Sequence, residues 1–164
     1  MLIEKRGKRF FSFDKAAFAL LQRHFGEGKE GYVVYTPYEV LYLVENKKAI
    51  VKERGKELSF KALLSALNEE ELLEWTVFRD LIKRGYAVKP GIKFGGNFII
   101  YAKGKKPGID HSDWIGIVLK KTQKLKAENI ISKARIAHST AKRLLLCVVD
   151  GSTVLYYELQ WKKI

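Results

Sequence analysis

The chain has 164 residues, with 31 Lys and Arg against 18 Asp and Glu, a formal net charge of +13, 47% apolar residues and 30% charged residues. Such a composition buries a core without covalent staples and excludes disorder as the main state. The longest apolar runs, Ala16–Leu21 and Leu144–Val149, are six residues long, far below the ~20 that span a bilayer, and the single Cys147 excludes intrachain disulfides and a cysteine-based zinc site.

Leu2 to Phe13 reads as a short basic strand or hairpin. A helix follows, opened by Ser12 or Asp14 ahead of Ala16-Ala17-Phe18-Ala19-Leu20-Leu21 and stopped by Gly26-Glu27-Gly28. Thr36-Pro37 opens a second helix, a capping hydroxyl before proline at the first helical position, and Ser59 a third, with Phe60, Leu63, Leu64 and Leu67 at helical spacing. Asn68 begins the longest helix. Its acidic first turn, Glu69-Glu70-Glu71, suits the positive end of the helix dipole, and Leu72, Trp75, Phe78, Leu81 and Ile82 form its apolar stripe up to Gly85. Beyond Gly85 the period changes to that of strands: Tyr86–Lys89, Asn97–Lys103, Trp114–Lys120, Leu144–Asp150 and Val154–Trp161 are rich in aromatic and branched residues, with Pro90-Gly91, Gly95-Gly96, Pro107-Gly108 and Gly151-Ser152 between runs. One helix, Ala127–Ala141, is inserted. The expected division is residues 1–76, a helical or α+β assembly domain, and residues 77–164, which carry the chemistry.

The first 76 residues carry 13 basic and 12 acidic side chains, the remaining 88 carry 18 and 6, so the second segment holds a net +12. Asymmetry of this kind points to a polyanion, because each phosphate neutralised by Lys or Arg releases counterions. Lysine enrichment for solubility or heat resistance is the competing explanation, but it would not leave the first half neutral. The partner expected is nucleic acid. The N-terminal residues have charges without the apolar stretch of a signal peptide, so a reducing cytoplasm is the expected compartment.

Proton transfer near neutrality points first to the histidines. His24 beside Arg23 reads as a surface or capping residue, His111 sits in a polar loop where it could reach a ligand, and His138 shares a helical face with Arg135 and Lys142. Metal catalysis fits poorly. No His-x-x-x-His or Asp-x-Asp spacing occurs, Glu27-Gly28-Lys29 is too degenerate for a metal-nuclease half-site, and Gly91 to Gly96 fits neither a phosphate loop nor a dinucleotide fingerprint. Metal-free phosphoryl transfer remains, in which RNA supplies its own 2′-hydroxyl and the protein a base, an acid and a cation.

Four blocks carry a resemblance: Arg84-Gly85-Tyr86-Ala87-Val88-Lys89-Pro90-Gly91; Lys93-Phe94-Gly95-Gly96-Asn97-Phe98-Ile99-Ile100-Tyr101; His111-Ser112; and Arg135-Ile136-Ala137-His138-Ser139-Thr140-Ala141-Lys142-Arg143 followed by the strand to Asp150. In this order they resemble the archaeal tRNA-splicing endonucleases, and Thr36–Glu45 is more loosely similar to the N-terminal part of that family. The resemblance implies an α/β (α+β) protein, with a small mostly helical N-terminal domain and a restriction-endonuclease-like C-terminal domain built on a central mixed sheet flanked by helices.

It also implies that Tyr101 is the general base, His111 the general acid and Lys142 the transition-state cation. Cleavage of precursor tRNA at bulge-helix-bulge intron junctions would leave a 2′,3′-cyclic phosphate and a 5′-hydroxyl, with no cofactor or metal. Positive neighbours are expected to ease the loss of the Tyr101 proton. Arg135 matches an arginine that stacks on a bulged base, while the last strand offers no second arginine, leaving Trp161, Lys162 or a one-sided clamp. His138, Ser139 and Arg143 are expected to face RNA. The loop Asp150-Gly151-Ser152-Thr153 is short of the acidic plug that homotetrameric relatives insert into an opposing subunit. The chain therefore resembles a catalytic subunit in a heterotetramer with a non-catalytic paralogue, a homotetramer or homodimer being the alternative, and its last strand is expected to be an exposed edge that pairs with another subunit. The competing function is that of a non-catalytic basic RNA-binding or assembly subunit. A metal-dependent DNA nuclease on a similar sheet is a third.

Overall fold

The computed structural model describes residues 1–164. The chain forms two compact units, Met1–Glu69 and Glu70–Ile164.

In the first unit, β1 (Leu2–Arg6) and β2 (Arg9–Ser12) make the expected antiparallel hairpin. They are followed by α1 (Lys15–Leu21), β3 (Glu27–Lys29), β4 (Tyr32–Tyr35), α2 (Pro37–Glu45), β5 (Ile50–Glu53), β6 (Lys56–Leu58) and α3 (Phe60–Ser65). The strands form one six-stranded sheet in the order β3-β4-β2-β1-β5-β6. This corrects the expectation of a mostly helical N-terminal unit. Strands of three to five residues, one of them exposed throughout, are too short to show a period of two against the helical signals beside them.

Two of the expected caps differ in use. Thr36 closes a full capping box: the Glu39 N–H donates to Thr36 Oγ1 at 3.2 Å and the Thr36 N–H to Glu39 Oε2 at 2.9 Å. The other carboxylate oxygen accepts the Gly26 N–H at 2.9 Å, which is how an acidic side chain can be 2% exposed without a lost hydrogen bond. Asp14, by contrast, does not cap α1 with its side chain; its carboxylate accepts the Leu2 N–H at 2.7 Å. That helix ends at Leu21, before Gly26, and His24 lies in the turn beyond it with φ 67°.

The second unit holds α4 (Glu69–Lys83) from its second residue onward and continues through β7 (Ala87–Pro90), a 3-10 turn at Ile92–Phe94, β8 (Phe98–Tyr101), β9 (Trp114–Lys120), α5 (Ala127–Ser139), β10 (Arg143–Asp150) and β11 (Thr153–Leu159). The sheet order is β11-β10-β9-β8-β7. Only β9 and β10 are parallel, as their connection through a helix requires. Alternation along the strands gives each helix a face. Ile115, Ile117, Leu119, Leu144, Leu146, Val148 and Leu159 pack with Ala134 and Ala137 of α5, while α4 covers the other face, with the rings of Phe78 and Phe98 6.2 Å apart and Tyr156 donating to Asp80 at 2.6 Å. Gly91 is required where it stands, since a Cβ there would lie 2.5 Å from the main-chain carbon of Phe98. β11 is an edge strand with Leu155 and Tyr157 exposed, as expected from its sequence. No helix is long and apolar enough to cross a membrane.

Candidate active site

Ile100 of β8 lies opposite Trp114 of β9, and Trp114 opposite Arg143 of β10. The end of one strand and the beginnings of the next two therefore form one rim of the sheet. Tyr101 is the last residue of β8, His111 precedes β9 by three residues, and Lys142 immediately precedes β10. The topology thus brings to one rim three residues separated by up to 41 positions in the sequence.

Alternation puts Tyr101 on the α5 face, the face of Ile99 and Ile115. Its residue exposure is 7%. The hydroxyl has no protein hydrogen-bond partner, and no buried polar side-chain atom of the chain is unsatisfied, so the phenol oxygen reaches water at the rim. Burial of the ring raises the phenol above its ordinary value of 10.0. This is opposite to the expected easing of proton loss: desolvation disfavours phenolate, and no positive neighbour enters among the causes of the shift.

Lys142 is placed by the end of α5. The Lys142 N–H donates to the Ala137 carbonyl at 2.7 Å and the Ala141 N–H to the His138 carbonyl at 3.1 Å, the two bonds of a Schellman motif. Ala141 takes the left-handed position at φ 55°, which glycine usually fills, and this turn ends α5 at Ser139 two residues short of the expected Ala141. The ammonium then lies 4.9 Å from the centre of the Phe94 ring and donates to the Thr140 carbonyl at 3.3 Å. Phe94 packs on the α5-side core, so the cation stands on the same face as Tyr101.

His111 is exposed, in a connection from Ala102 to Asp113 that is folded rather than loose. The Lys106 N–H donates to Asp110 Oδ2 at 2.6 Å, and the Asp110 N–H to the Lys106 carbonyl at 2.8 Å. Asp113, which the sequence reading did not single out, ties this connection to its neighbours. Its carboxylate accepts the Ala102 N–H at 2.8 Å and the Lys105 ammonium at 2.6 Å. Burial pushes that carboxyl up, but the hydrogen bonds from Lys105 and Ala102 and the charges of Lys105 and Arg143 prevail and hold it below the usual range.

Arg135, His138 and Ser139 lie exposed on the last turns of α5, with the Ser139 hydroxyl donating to the Ile136 carbonyl at 3.0 Å. Trp161, 43% exposed, has its ring 4.7 Å from that of His138, and Lys162 follows it, exposed. Arg143 is not brought to this group. It points to the α4 face, over the Trp114 ring at 4.9 Å and paired with Glu158 at 3.1 Å. Glu27 and Lys29 are paired with each other on β3 of the first unit.

The family model for the tRNA intron endonuclease catalytic C-terminal domain matches residues 72–157. A tRNA-splicing endonuclease of Thermococcus gammatolerans is 35% identical over 161 residues, 94% of either chain. The chain belongs to the tRNA-splicing endonuclease family. Its relatives named tRNA-splicing endonuclease include those of Methanothermobacter thermautotrophicus, 33% identical over 140 residues (84% of this chain, 82% of the relative), and Sulfurisphaera tokodaii, 31% identical over 131 residues (76% and 71%). It is a tRNA intron endonuclease, and the rim of β8, β9 and β10 lies within the matched catalytic domain.

Proposed function

We propose that this endonuclease cleaves precursor tRNA at bulge-helix-bulge junctions through Tyr101, His111 and Lys142, without a metal or cofactor. The observation that carries the reading is the shared rim: Tyr101 ends β8, Lys142 immediately precedes β10, and His111 lies three residues ahead of β9, the strand between them. The Tyr101 phenolate takes the proton of the 2′-hydroxyl, the 2′-oxygen bonds to phosphorus, and the bond from phosphorus to the 5′-oxygen breaks. His111 gives its proton to that leaving oxygen, and Lys142 offsets the charge of the pentacoordinate phosphorane. The products are a 2′,3′-cyclic phosphate and a 5′-hydroxyl. A phenol raised by burial ionises seldom at neutrality, but its anion is the stronger base for it, and Brønsted behaviour makes part of that scarcity good.

Recognition belongs to the exposed end of α5. A bulged base stacks on Arg135, and Trp161, resting on His138 one helical turn away, is its second wall, with Lys162 toward phosphate. The assembly we propose is a heterotetramer with a non-catalytic paralogue, in the cytoplasm. Asp150, the only acidic residue of the turn to β11, is already paired with Lys121 at 2.7 Å, so it has little charge to offer an opposing subunit.

Incubating the enzyme, alone and with a coexpressed paralogue, with a bulged precursor tRNA in EDTA tests the reading. Cyclic-phosphate ends are expected, and they disappear with His111→Ala. Cleavage that needs added metal, or leaves a 3′-hydroxyl, overturns it.

A further inference from the structure

The connection from Ala102 to Asp113 carries His111, and its geometry depends on one carboxylate. The Asp113 side chain, 16% exposed, accepts the N–H of Ala102, the residue after Tyr101, and the ammonium of Lys105. Its main chain is used as fully. The Asp113 N–H donates to the carbonyl of Ile100, the residue before Tyr101, at 2.9 Å, and its carbonyl accepts the N–H of Arg143, the residue after Lys142, at 3.0 Å. One residue is thus bonded to both neighbours of Tyr101 and to the neighbour of Lys142, and it stands two positions from His111.

We propose that Asp113 is a positioning residue for RNA cleavage, fixing the strand ends that present Tyr101, His111 and Lys142 to one phosphodiester, with Lys105 as its counter-ion. The proposal rests on the assignment of those three residues above. Lys105 has a specific part. A bare carboxylate at this rim would repel the scissile phosphate, and the ion pair cancels that charge while leaving the acceptor for Ala102 in place. The substrate need not touch Asp113, because its effect passes through the main chain at residues 100, 102 and 143. Placement within a fraction of an ångström is what such a scaffold supplies, and a displacement of about 1 Å costs a reaction on the order of 100-fold.

The test is single-turnover cleavage of a labelled bulge-helix-bulge RNA by the assembled enzyme, with the RNA dissociation constant and melting temperature measured on the same preparations. Asp113→Ala is expected to lower the cleavage rate constant about 100-fold and to leave the dissociation constant within about twofold, since this residue acts on the reacting geometry and not on ground-state binding. Asp113→Asn keeps an oxygen acceptor for the Ala102 N–H and loses the ion pair, so it should recover about tenfold of that loss. Cleavage by both variants at the rate of the unsubstituted enzyme, or a loss confined to RNA binding, overturns the proposal. Where Asp113→Ala does not fold, Asp113→Asn and Lys105→Met decide by the same two readings. Tyr101→Phe, His111→Ala and Lys142→Ala run alongside. If these abolish cleavage while the Asp113 variants do not, this proposal alone fails; if they cleave normally, the assignment of the site fails and this proposal with it.

Discussion

The ammonium of Lys142 stands 4.9 Å from the centre of the Phe94 ring, which joins the cation of the rim to the 3-10 turn that precedes β8. A cation over an aromatic face gains about 0.5–2 kcal/mol depending on desolvation, enough to restrict a long flexible side chain to one region. Phe94→Leu keeps most of the apolar volume and removes the quadrupole. We expect several-fold slower cleavage with Phe94→Leu, near-normal cleavage with Phe94→Tyr, and a melting temperature for Phe94→Tyr close to that of the unsubstituted enzyme. Equal rates for all three proteins would show that the ring does not hold the amine.

The pH dependence follows from the burial of Tyr101. Its phenol titrates above the ordinary value of 10.0. When the base has the higher pKa and the acid the lower, the product of phenolate and protonated acid is flat between them, and it declines on the alkaline side only beyond the phenol. Single-turnover rates should therefore not fall between pH 8 and about 10. A decline centred near pH 8.5 would contradict a phenol raised by burial.

Gly91 gives a stability test independent of chemistry. A Cβ at this position meets main-chain atoms of Phe98 at 2.5, 2.7 and 2.8 Å, and backbone cannot rotate away as a side chain can. Gly91→Ala should cost about 3 kcal/mol, at the upper end of overpacking effects, read as a shift of the denaturant midpoint. A change below about 0.5 kcal/mol, ordinary for surface positions, would show that the turn relaxes freely.

Assembly can be tested at two places. Leu155 and Tyr157 are exposed on the edge strand β11, so the double variant Leu155→Asp, Tyr157→Asp should reduce the mass of the native particle by light scattering. Lys121→Ala frees the Asp150 carboxylate from its partner. If the turn before β11 fails as a plug only because its charge is cancelled, this variant alone should shift the enzyme toward a homotetramer; an unchanged mass would leave the paralogue as the source of the acidic loops.

How far the sequence could be read depended on the length of each signal. The strands of the second unit announce themselves, because runs such as Trp114–Lys120 and Arg143–Asp150 are long, branched and punctuated by Pro-Gly and Gly-Gly pairs. Thr36 with Glu39 is equally plain, three residues of spacing with one physical meaning. The six-stranded sheet of the first unit is not: Tyr32–Tyr35 is four residues between a glycine turn and a helix start, and pairing partners distant in sequence decide its state. The end of α5 was hidden because Ala141 takes a conformation whose usual marker is glycine. Of the rim, the residue types at 101, 111 and 142 are visible through a family resemblance. Their register is visible only through the pairing of Ile100 with Trp114 and of Trp114 with Arg143. Arg143 could not be separated from Lys142 by sequence, since neighbours at a strand start look alike until alternation sends them to opposite faces. Asp113 gave no signal, because three of its partners are main-chain groups with no residue type to reveal them and the fourth, Lys105, is one lysine among many in a basic segment.

The most direct test of the central claim is a crystal structure of the assembled enzyme with a bulge-helix-bulge RNA carrying a 2′-deoxy nucleotide at the scissile position, which blocks the reaction. We expect the Tyr101 phenol oxygen, a ring nitrogen of His111 and the Lys142 ammonium to lie within about 3–3.5 Å of the groups they serve around a single phosphodiester. A complex in which that phosphodiester is bound and any one of the three stays more than about 6 Å away, beyond reach even through one water, would contradict the account.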